Sequence, residues 1–568
     1  MTRILGPDGA PLPPVPRRPR GRPGGDLKPT ALNSNYGITA YDAADVWSPN
    51  MAAWRPSLWS ADAELNPWRN RIVSRARDAV RNDGWANSGI TKILDNVIGA
   101  AFRPISKPDY IALRHFTGNK AFDAKWANEF GRAVDACWRT WADDVQKHCD
   151  AERCLTMPQL FWTSFRHALI DGDALAQILY RPATVRPGGA RYATSVQLID
   201  PDRLSNPMWS FDNADVRGGV QVDKHGAPIG YHIERAHFGN WWSAAESMTW
   251  DYIPKETSWG RPIIVHTFEH DRASQHRGGA GILTPVLQRI KMLVKYDGTE
   301  LDAAIINAIF AAFVKSPYDQ QMVEEALGEG DDDRLGLYQD MRQDWWGDPG
   351  RRRIMLGETQ LTHLFPGEEI GTVSAARPAS NFEPFEAAVL RHVAAGMGVT
   401  YEQLTSDWSR TNYSSSRGAL NEVWKTLDRR RKGFANGFAN PIFAAWLEEV
   451  MEVDDLPLPA GAPAFEEFRT AFSRCRWIGP GRGWMDPLTE KQGAILGMEA
   501  GLSTLEIEAA ENAGENWEEM VDQRAVEVER FTRLGMQPPT WSGLPRDPEE
   551  GSASRVPPAR NPKTSPAP

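Results

Sequence analysis

The sequence predicts an α+β chain that is predominantly helical. Three observations predict it. Apolar residues recur at 3-to-4 spacing over long stretches, above all Val286–Phe313 and Leu420–Leu447. Between residues 191 and 270 the pattern changes to short alternating runs separated by Gly, Pro and Asp, which reads as β-rich. Hydrophobic residues make up 41% and charged residues 24%, the balance of a chain that buries an ordinary core.

The elements follow in order. Residues 1–30 carry Arg17, Arg18, Arg20 and Arg22 among prolines and glycines, too little apolar surface to fold alone, and read as a disordered basic arm. Trp68–Ile98 reads as helix through Ile72, Val73, Ala76 and Val80, interrupted at Gly84 and ended by Gly99. Phe122–Trp141 and Met157–Leu169 are further helices. Strands are expected at Ala174–Tyr180, Thr194–Ile199, Gly219–Val222, Ile229–Glu234 and Ile263–Phe268, with Lys224–Pro228 turning a hairpin. Thr284-Pro285 looks like an N-cap followed by proline in the first turn, opening a helix to about Val314.

Residues 316–380 form an insert with the acidic run Asp331–Asp333, the pair Trp345-Trp346 and the basic run Arg351–Arg353. Two short strands follow, Ile354–Leu356 and Leu361–Leu364. Ser380 and Glu383 stand at capping-box spacing before a helix that ends at Gly396 and Gly398. Val399–Ser416 is polar and reads as irregular. Arg417–Met451 reads as one very long helix that Pro441 should kink. Residues 463–535 are mixed, then helical and acidic, and a proline-rich tail from 536 to 568 is expected to be disordered.

Composition bounds function. Length suggests about four domain-sized units. Lys+Arg is 64 against Asp+Glu 74, a formal net charge of −10, which argues against a protein that simply coats DNA. Four cysteines fit a reducing compartment, and neither a signal peptide nor a membrane span is evident, so the chain is expected in the cytoplasm. His148, Cys149 and Cys154 lack the tight spacing of a zinc site. The P-loop, HExxH and GxSxG motifs are absent. Gly479-Pro480-Gly481 is a poor phosphate cradle, because proline removes a donor. No cofactor, metal or catalytic residue is assigned. The 23 tryptophans fit either a Trp-rich core or extensive contacts between copies.

Several ordered blocks carry a resemblance. They are Arg75–Ala86, Asn96–Gly99, Ile199–Pro207, Gly219–Gln221, His266–Glu269 with Arg277-Gly278, Ala395–Leu404, Tyr413-Ser414, Trp477–Gly479 and Glu499–Thr504. In this order the chain resembles the portal proteins of tailed bacteriophages, specifically the phage lambda portal family, over roughly residues 31–535.

The resemblance implies a ring subunit, usually one of twelve at a capsid vertex, with wing, two-helix stem, clip, tunnel loop and crown. Placed on this sequence, 31–282 becomes wing, 283–315 and 381–398 the stem helices, and 316–380 the clip. Residues 399–416 become the tunnel loop, 417–451 a long kinked helix, and 452–535 wing and crown. The implied function is a head-tail connector through which double-stranded DNA is packaged and ejected. The partners are the terminase large subunit, a head-completion or adaptor protein, and the major capsid and scaffolding proteins, with no membrane. The implied location is the virion, after assembly in the host cytoplasm. Alternatives are a nuclease or other enzyme of the packaging apparatus, and a capsid or tail adaptor.

Within that frame Trp408, Arg410 and Asn412 are candidates for the DNA channel. Arg429, Arg430, Arg431 and Lys432 are candidates for a basic ring, against the alternative of salt-bridge partners. Trp345, Trp346, Arg351, Arg352 and Arg353 are candidates for docking the terminase, against packing between clips. Gly396 and Gly398 are candidate hinges.

Overall fold

The computed structural model describes residues 43, 51, 53–100, 102–279, 281–313, 344, 347–348, 353–356, 359–362, 382–482 and 486–536. The arm 1–30, the tail beyond 536, Ser380, Trp345, Trp346, Arg351 and Arg352 lie outside them, as does most of 316–380. The chain divides into two units rather than four, Met1–Ser60 and Ala61–Pro568. In the first, the described residues 54–60 run without regular structure after a turn in which Trp54 N–H donates to Met51 O at 3.0 Å.

The principal elements of the second unit are, in chain order, α1 (Arg69–Asn82), α2 (Gly84–Val97), β1 (Arg103–Ser106), α3 (Ala124–Ala142) and α4 (Met157–Ile170). The strands β2 (Asp173–Tyr180), β3 (Thr194–Ile199), β4 (Val216–Arg217), β5 (Val220–Val222), β6 (Pro228–Glu234), β7 (Trp250–Pro254) and β8 (Ile264–Phe268) come next. Then come α5 (Leu287–Phe313), β9 (Arg353–Leu356), β10 (Thr359–Thr362), α6 (Phe382–Met397), α7 (Tyr401–Thr405), α8 (Tyr413–Phe434) and α9 (Asn440–Val453). Last are β11 (Cys475–Ile478), α10 (Pro487–Glu499) and α11 (Trp517–Arg533).

Several boundaries differ from expectation for local reasons. The first long helix breaks at Asp83, whose extended backbone lets its carboxylate accept from Ala86 N–H at 2.7 Å and cap α2. Thr284 does not cap α5. Residues 282–286 form turns, the Thr284 hydroxyl is buried without a hydrogen-bond partner among the described residues, and the helix starts at Leu287. The expected helix 417–451 is two helices joined by a π turn, Ala435–Ala439, in which Asn440 N–H reaches back five residues to Ala435 O. Pro441 lacks the N–H that would continue the α-ladder, so one extra residue is looped out there and the proline opens α9.

Three antiparallel sheets organise the strands before α5 and close the fold. β2 lies between β3 and β8, while β4–β5–β6–β7 is a meander that contains the predicted hairpin. β1 pairs with β11, Arg103 opposite Ile478 and Ile105 opposite Arg476, joining the beginning and end of the unit. β9 and β10 form a further hairpin within the insert.

The main core is aromatic. Trp446 is fully buried between Trp138 and Trp141, with ring centroids 5.0 and 5.7 Å away. Phe102 stacks on Trp477 at 4.8 Å, and Phe434 on Phe438 at 5.1 Å. Offset and edge contacts of this kind add about 0.5–1.5 kcal/mol each beyond area burial. Not every tryptophan is in the core: Trp241 and Trp242 are 84% and 69% exposed.

A second feature of the interior is ionic. Asp173, fully buried at the start of β2, accepts from Arg277 Nε at 2.9 Å, Gly278 N–H at 2.6 Å and His266 Nε2 at 3.0 Å. Arg69 on α1 faces the same carboxylate at 3.3 Å. Arg277 also donates to Gly218 O at 2.6 Å, Pro201 O at 3.0 Å and Leu204 O. Burial pushes the Asp173 carboxyl up, but Arg277, His266 and Arg69 outweigh it and hold it well below the usual carboxylate range. Burial, with Arg69 nearby, pushes Arg277 down to about 10, still charged at neutral pH.

Asp173→Asn therefore leaves Arg277 buried without its counter-charge and is expected to cost about 3–5 kcal/mol in chemical denaturation at pH 7. Because the folded-state value is depressed, this stability is present above the unfolded value of about 4 and is lost as pH falls through the folded one. The difference between parent and variant should shrink on acidification, and a constant difference down to acid unfolding would contradict the assignment.

Candidate functional site

The residues singled out for channel, ring and hinge lie on α6, α8 and the segment between them, packed against the start of α5. Leu390, Val393, Ala394 and Met397 of α6 are buried in the same cluster as Val286, Ile290 and Leu293. Higher up, the Tyr296 ring stacks on Phe382 at 5.6 Å and meets Phe385 edge-on at 5.1 Å. α5 then continues 17 residues beyond Tyr296 to Phe313, about 26 Å at the helical rise. Apolar side chains remain on the outside of this pair: Met292 is 64% exposed, Leu301 62% and Phe385 50%.

Gly396 and Gly398 are not placed as hinges. A Cβ on Gly396 would stand 2.5 Å from Val286 Cγ1, so this glycine is the notch that lets α6 approach the start of α5. Gly398 has φ +74° and ends α6. Its N–H donates to Ala395 O at 3.2 Å and Val399 N–H to Ala394 O at 3.0 Å, which closes the last helical turn.

The segment 399–416 is more ordered than its polarity suggests. Thr400 and Gln403 form a reciprocal capping box that starts α7, with hydroxyl and amide bonds of 3.1 and 3.2 Å. Leu404 is buried, and its carbonyl accepts from Ser88 Oγ at 2.8 Å. Tyr413–Ser416 already belongs to α8, so beyond the linking pair 399–400 the irregular stretch is residues 406–412. Within them Trp408 is half-exposed, and Arg410 pairs with Glu383 at the head of α6, both side chains mostly in solvent. Asn412 is the N-cap of α8: its Oδ1 accepts from Ser415 N–H at 2.9 Å.

The basic run does not act as one unit. Successive helical residues are about 100° apart, so four in a row encircle the helix. Arg429 pairs with Glu269 at 2.7 Å and Lys432 with Asp428 at 2.7 Å, both exposed. Arg430 is turned inward and donates to Met397 O at 3.0 Å; burial lowers its affinity for the proton. Arg431 is buried over the Trp424 ring and donates to Val97 O at 2.9 Å, Asn96 O at 2.7 Å and Pro480 O at 3.0 Å. Two of the four cations are thus structural pins. Sequence gives no sign of this, because their carbonyl partners belong to α6, to α2 and to the segment after β11.

Arg353 opens β9, opposite Thr362. Among the described residues one group of three could hold a metal ion, Asp200, Asp202 and His237. Arg77 already donates to Asp202 at 2.7 Å and Asp200 at 3.2 Å, and Arg69 pairs with Asp202 at 3.2 Å, so the carboxylates are neutralised from within. His148, Cys149 and Cys154 do not gather in this way. Burial pushes the Cys149 thiol up to about 12.

Comparison with known proteins places the chain in a family. The family model "Phage portal protein, lambda family" matches residues 48–431. "Portal protein" of Escherichia phage N15 is 32% identical over 497 residues, covering 87% of this chain and 90% of that protein. "Portal protein B" of Escherichia phage lambda is 31% identical over 512 residues, covering 88% and 92%. The chain therefore belongs to the lambda family of phage portal proteins. Among solved structures, a chain titled "Neck of empty GTA particle computed with C6 symmetry" aligns with 77% of this chain and 96% of its own at 15% identity, with a TM-score of 0.27.

The geometry separates two classes of arginine. Arg431→Ala removes a buried guanidinium that satisfies three carbonyls and is expected to cost about 2–3 kcal/mol. Arg429→Ala and Lys432→Ala break exposed pairs and should each cost less than about 1 kcal/mol. Urea unfolding of the three variants checks this, and equal effects would contradict it. Gly398→Ala, strained at positive φ, should lose about 1 kcal/mol in the same assay.

Proposed function

We propose that this portal protein works as a closed ring, usually of twelve copies, through which double-stranded DNA is packaged and later ejected. The observation that carries the reading is the α5–α6 pair. It has a dry seam on one side and uncovered apolar side chains on the other, and α5 extends well past the shared contact. Such a pair suits a stem whose outer faces are covered by neighbouring copies, with 316–380 as clip. Residues 31–282 and 452–535 would then form wing and crown. Contacts between copies in a ring are heterologous, one patch meeting a different one, and they close only if the rotation does.

The shortened loop 406–412, with Trp408 and Arg410, is the segment placed nearest DNA. The Arg410–Glu383 pair is exposed on both sides and worth at most about 1 kcal/mol, so the guanidinium is released to a passing phosphate at small cost. Twelve chains at −10 carry roughly −120, which opposes gripping of DNA and is screened over ~8 Å. Trp345, Trp346 and Arg351–Arg353 remain the residues proposed to dock the terminase large subunit and then a head-completion protein. The remaining partners proposed are major capsid and scaffolding proteins. The ring's own role is structural, and the ATPase belongs to the terminase.

Electron microscopy of the purified chain should show closed rings; monomers or isologous dimers alone at high concentration would refute the assembly. Trp408→Ala and Arg410→Ala should leave rings intact but impair packaging or retention of DNA. Full packaging by both variants would remove residues 406–412 from the channel.

A further inference from the structure

The C-terminal part of the described chain is attached in an unusual way. From Leu505 to Asp522 the sequence holds seven carboxylates and no Lys or Arg. Neither α10 nor α11 buries a single residue. The apolar contact of this segment with β1 and β11 is one small cluster, Ala510 against Ile105 and Ile478. A backbone bond, Arg482 N–H to Glu511 O at 2.8 Å, and the close approach of Gly514 to Gly479 and Gly481 tether it, and charge supplies most of the remaining contact. Arg103 pairs with Glu515 and Glu519 at 3.1 Å each, Arg132 with Glu518 at 2.8 Å, and Arg139 with Glu519 at 3.3 Å. Lys107 and Arg476 both face Glu506, at 3.6 and 3.9 Å, and Arg476 faces Glu511 at 3.7 Å. Pairs this open contribute little individually and weaken with salt.

The surface beneath the segment is a strip of five cations, continued by a groove. Arg103 and Lys107 bracket β1, Arg476 lies opposite on β11, and Arg132 and Arg139 stand two turns apart on α3. The one acid of α3 between those two arginines, Asp135, accepts from Ser106 N–H, and burial pushes its carboxyl up to about 7. It therefore neutralises the strip only in part near neutral pH. Next to the strip a groove of about 810 Å³ opens toward α8, lined by Lys107, Lys425 and Arg476, by Arg474 and Lys432 paired with Asp109 and Asp428, and by Glu506 and Glu511. At two points two cations converge on one carboxylate: Arg103 and Arg139 on Glu519, Lys107 and Arg476 on Glu506.

We propose that this strip and groove are a binding surface for a nucleic-acid phosphate backbone, covered in the free chain by the acidic segment 505–522 acting as an internal competitor. Repeated cation pairs, each gathered on a single anion, suit a polymer with one charge per phosphate. A protein partner would be expected to anchor on indoles or other aromatic rings as well as on arginines. The groove's indoles are already engaged, Trp424 under Arg431 and Trp477 stacked on Phe102 with its N–H on Asn440 at 2.6 Å. The surface is separate from residues 406–412. The inference shares with the proposed function only the premise that the chain meets DNA.

The test uses the full chain and a short fluorescent DNA duplex. The parent should bind weakly at low salt. Replacing Glu511, Glu515, Glu518 and Glu519 with Gln should tighten binding at least about tenfold and steepen its dependence on salt, because more phosphates are then neutralised. Adding Arg103→Gln and Arg139→Gln, the two cations that converge on Glu519, should abolish the gain. Unchanged affinity in the Gln variant, or a gain that survives loss of the two cations, overturns the proposal. So does preferential binding of a synthetic 505–522 peptide over duplex by the Gln variant, which would make the surface a peptide site. A second readout needs no substitution. Amide exchange across Trp517–Arg533 in the parent should accelerate when duplex is added at low salt, and unchanged or slower exchange overturns the idea. Imaging the same preparation for rings reports on the assembly reading separately.

Discussion

The fold before α5 depends on one buried charge pair. Asp173 and Arg277 meet where β2 begins, and nearly every neighbouring element sends a polar group to them: α1 through Arg69, β8 through His266, and the loops after β3 and β4 through the carbonyls of Pro201, Leu204 and Gly218. Two charges out of water are costly unless every remaining donor and acceptor is satisfied. Here the guanidinium donates to Asp173 and to three carbonyls and the carboxylate accepts from three N–H groups, so the network favours one arrangement of those loops and penalises others. The blocks that carried the family resemblance, Ile199–Pro207, His266–Glu269 and Arg277-Gly278, surround this pair. Their chemistry is that of a joint.

A second joint is made by Arg431. It ties α8 to the end of α2 and to the segment after β11, beside the aromatic core. With β1 paired to β11, it closes the beginning of the unit on its end. The α5–α6 pair thus leaves from a fixed base, while its own outer face stays uncovered. Rigid support beneath and exposed apolar flanks outside is what a subunit needs if its neighbours complete it.

Charge divides the molecule into regions of different firmness. Inside, ion pairs are dry and multiply hydrogen-bonded. At the C-terminal segment they are open and nearly unsupported by apolar burial. Physical principle makes the first kind strongly destabilising to break and the second kind responsive to salt and competing anions. Local stability in proteins is uneven in this manner, and the weakly attached parts are the ones free to move.

The sequence by itself determined the periodic elements and the family. Helical spacing located α3, α4, α5 and α6 within a few residues, alternation located β2, β3, β6 and β8, and Lys224–Pro228 marked the hairpin, because these signals are carried by side chains close in sequence. Gly398 was legible as a helix end. What Arg430 and Arg431 do was not. A run of four cations looks uniform in sequence, and only the tertiary structure sorts it, since the groups that accept from them lie as far away as Val97. The same holds for β1 with β11, and for Thr400–Ser416, whose polar residues read as loop until their capping bonds are seen. Periodicity reports which face is buried. Which charge meets which partner depends on distances that chain order does not contain, and the tertiary structure decided those.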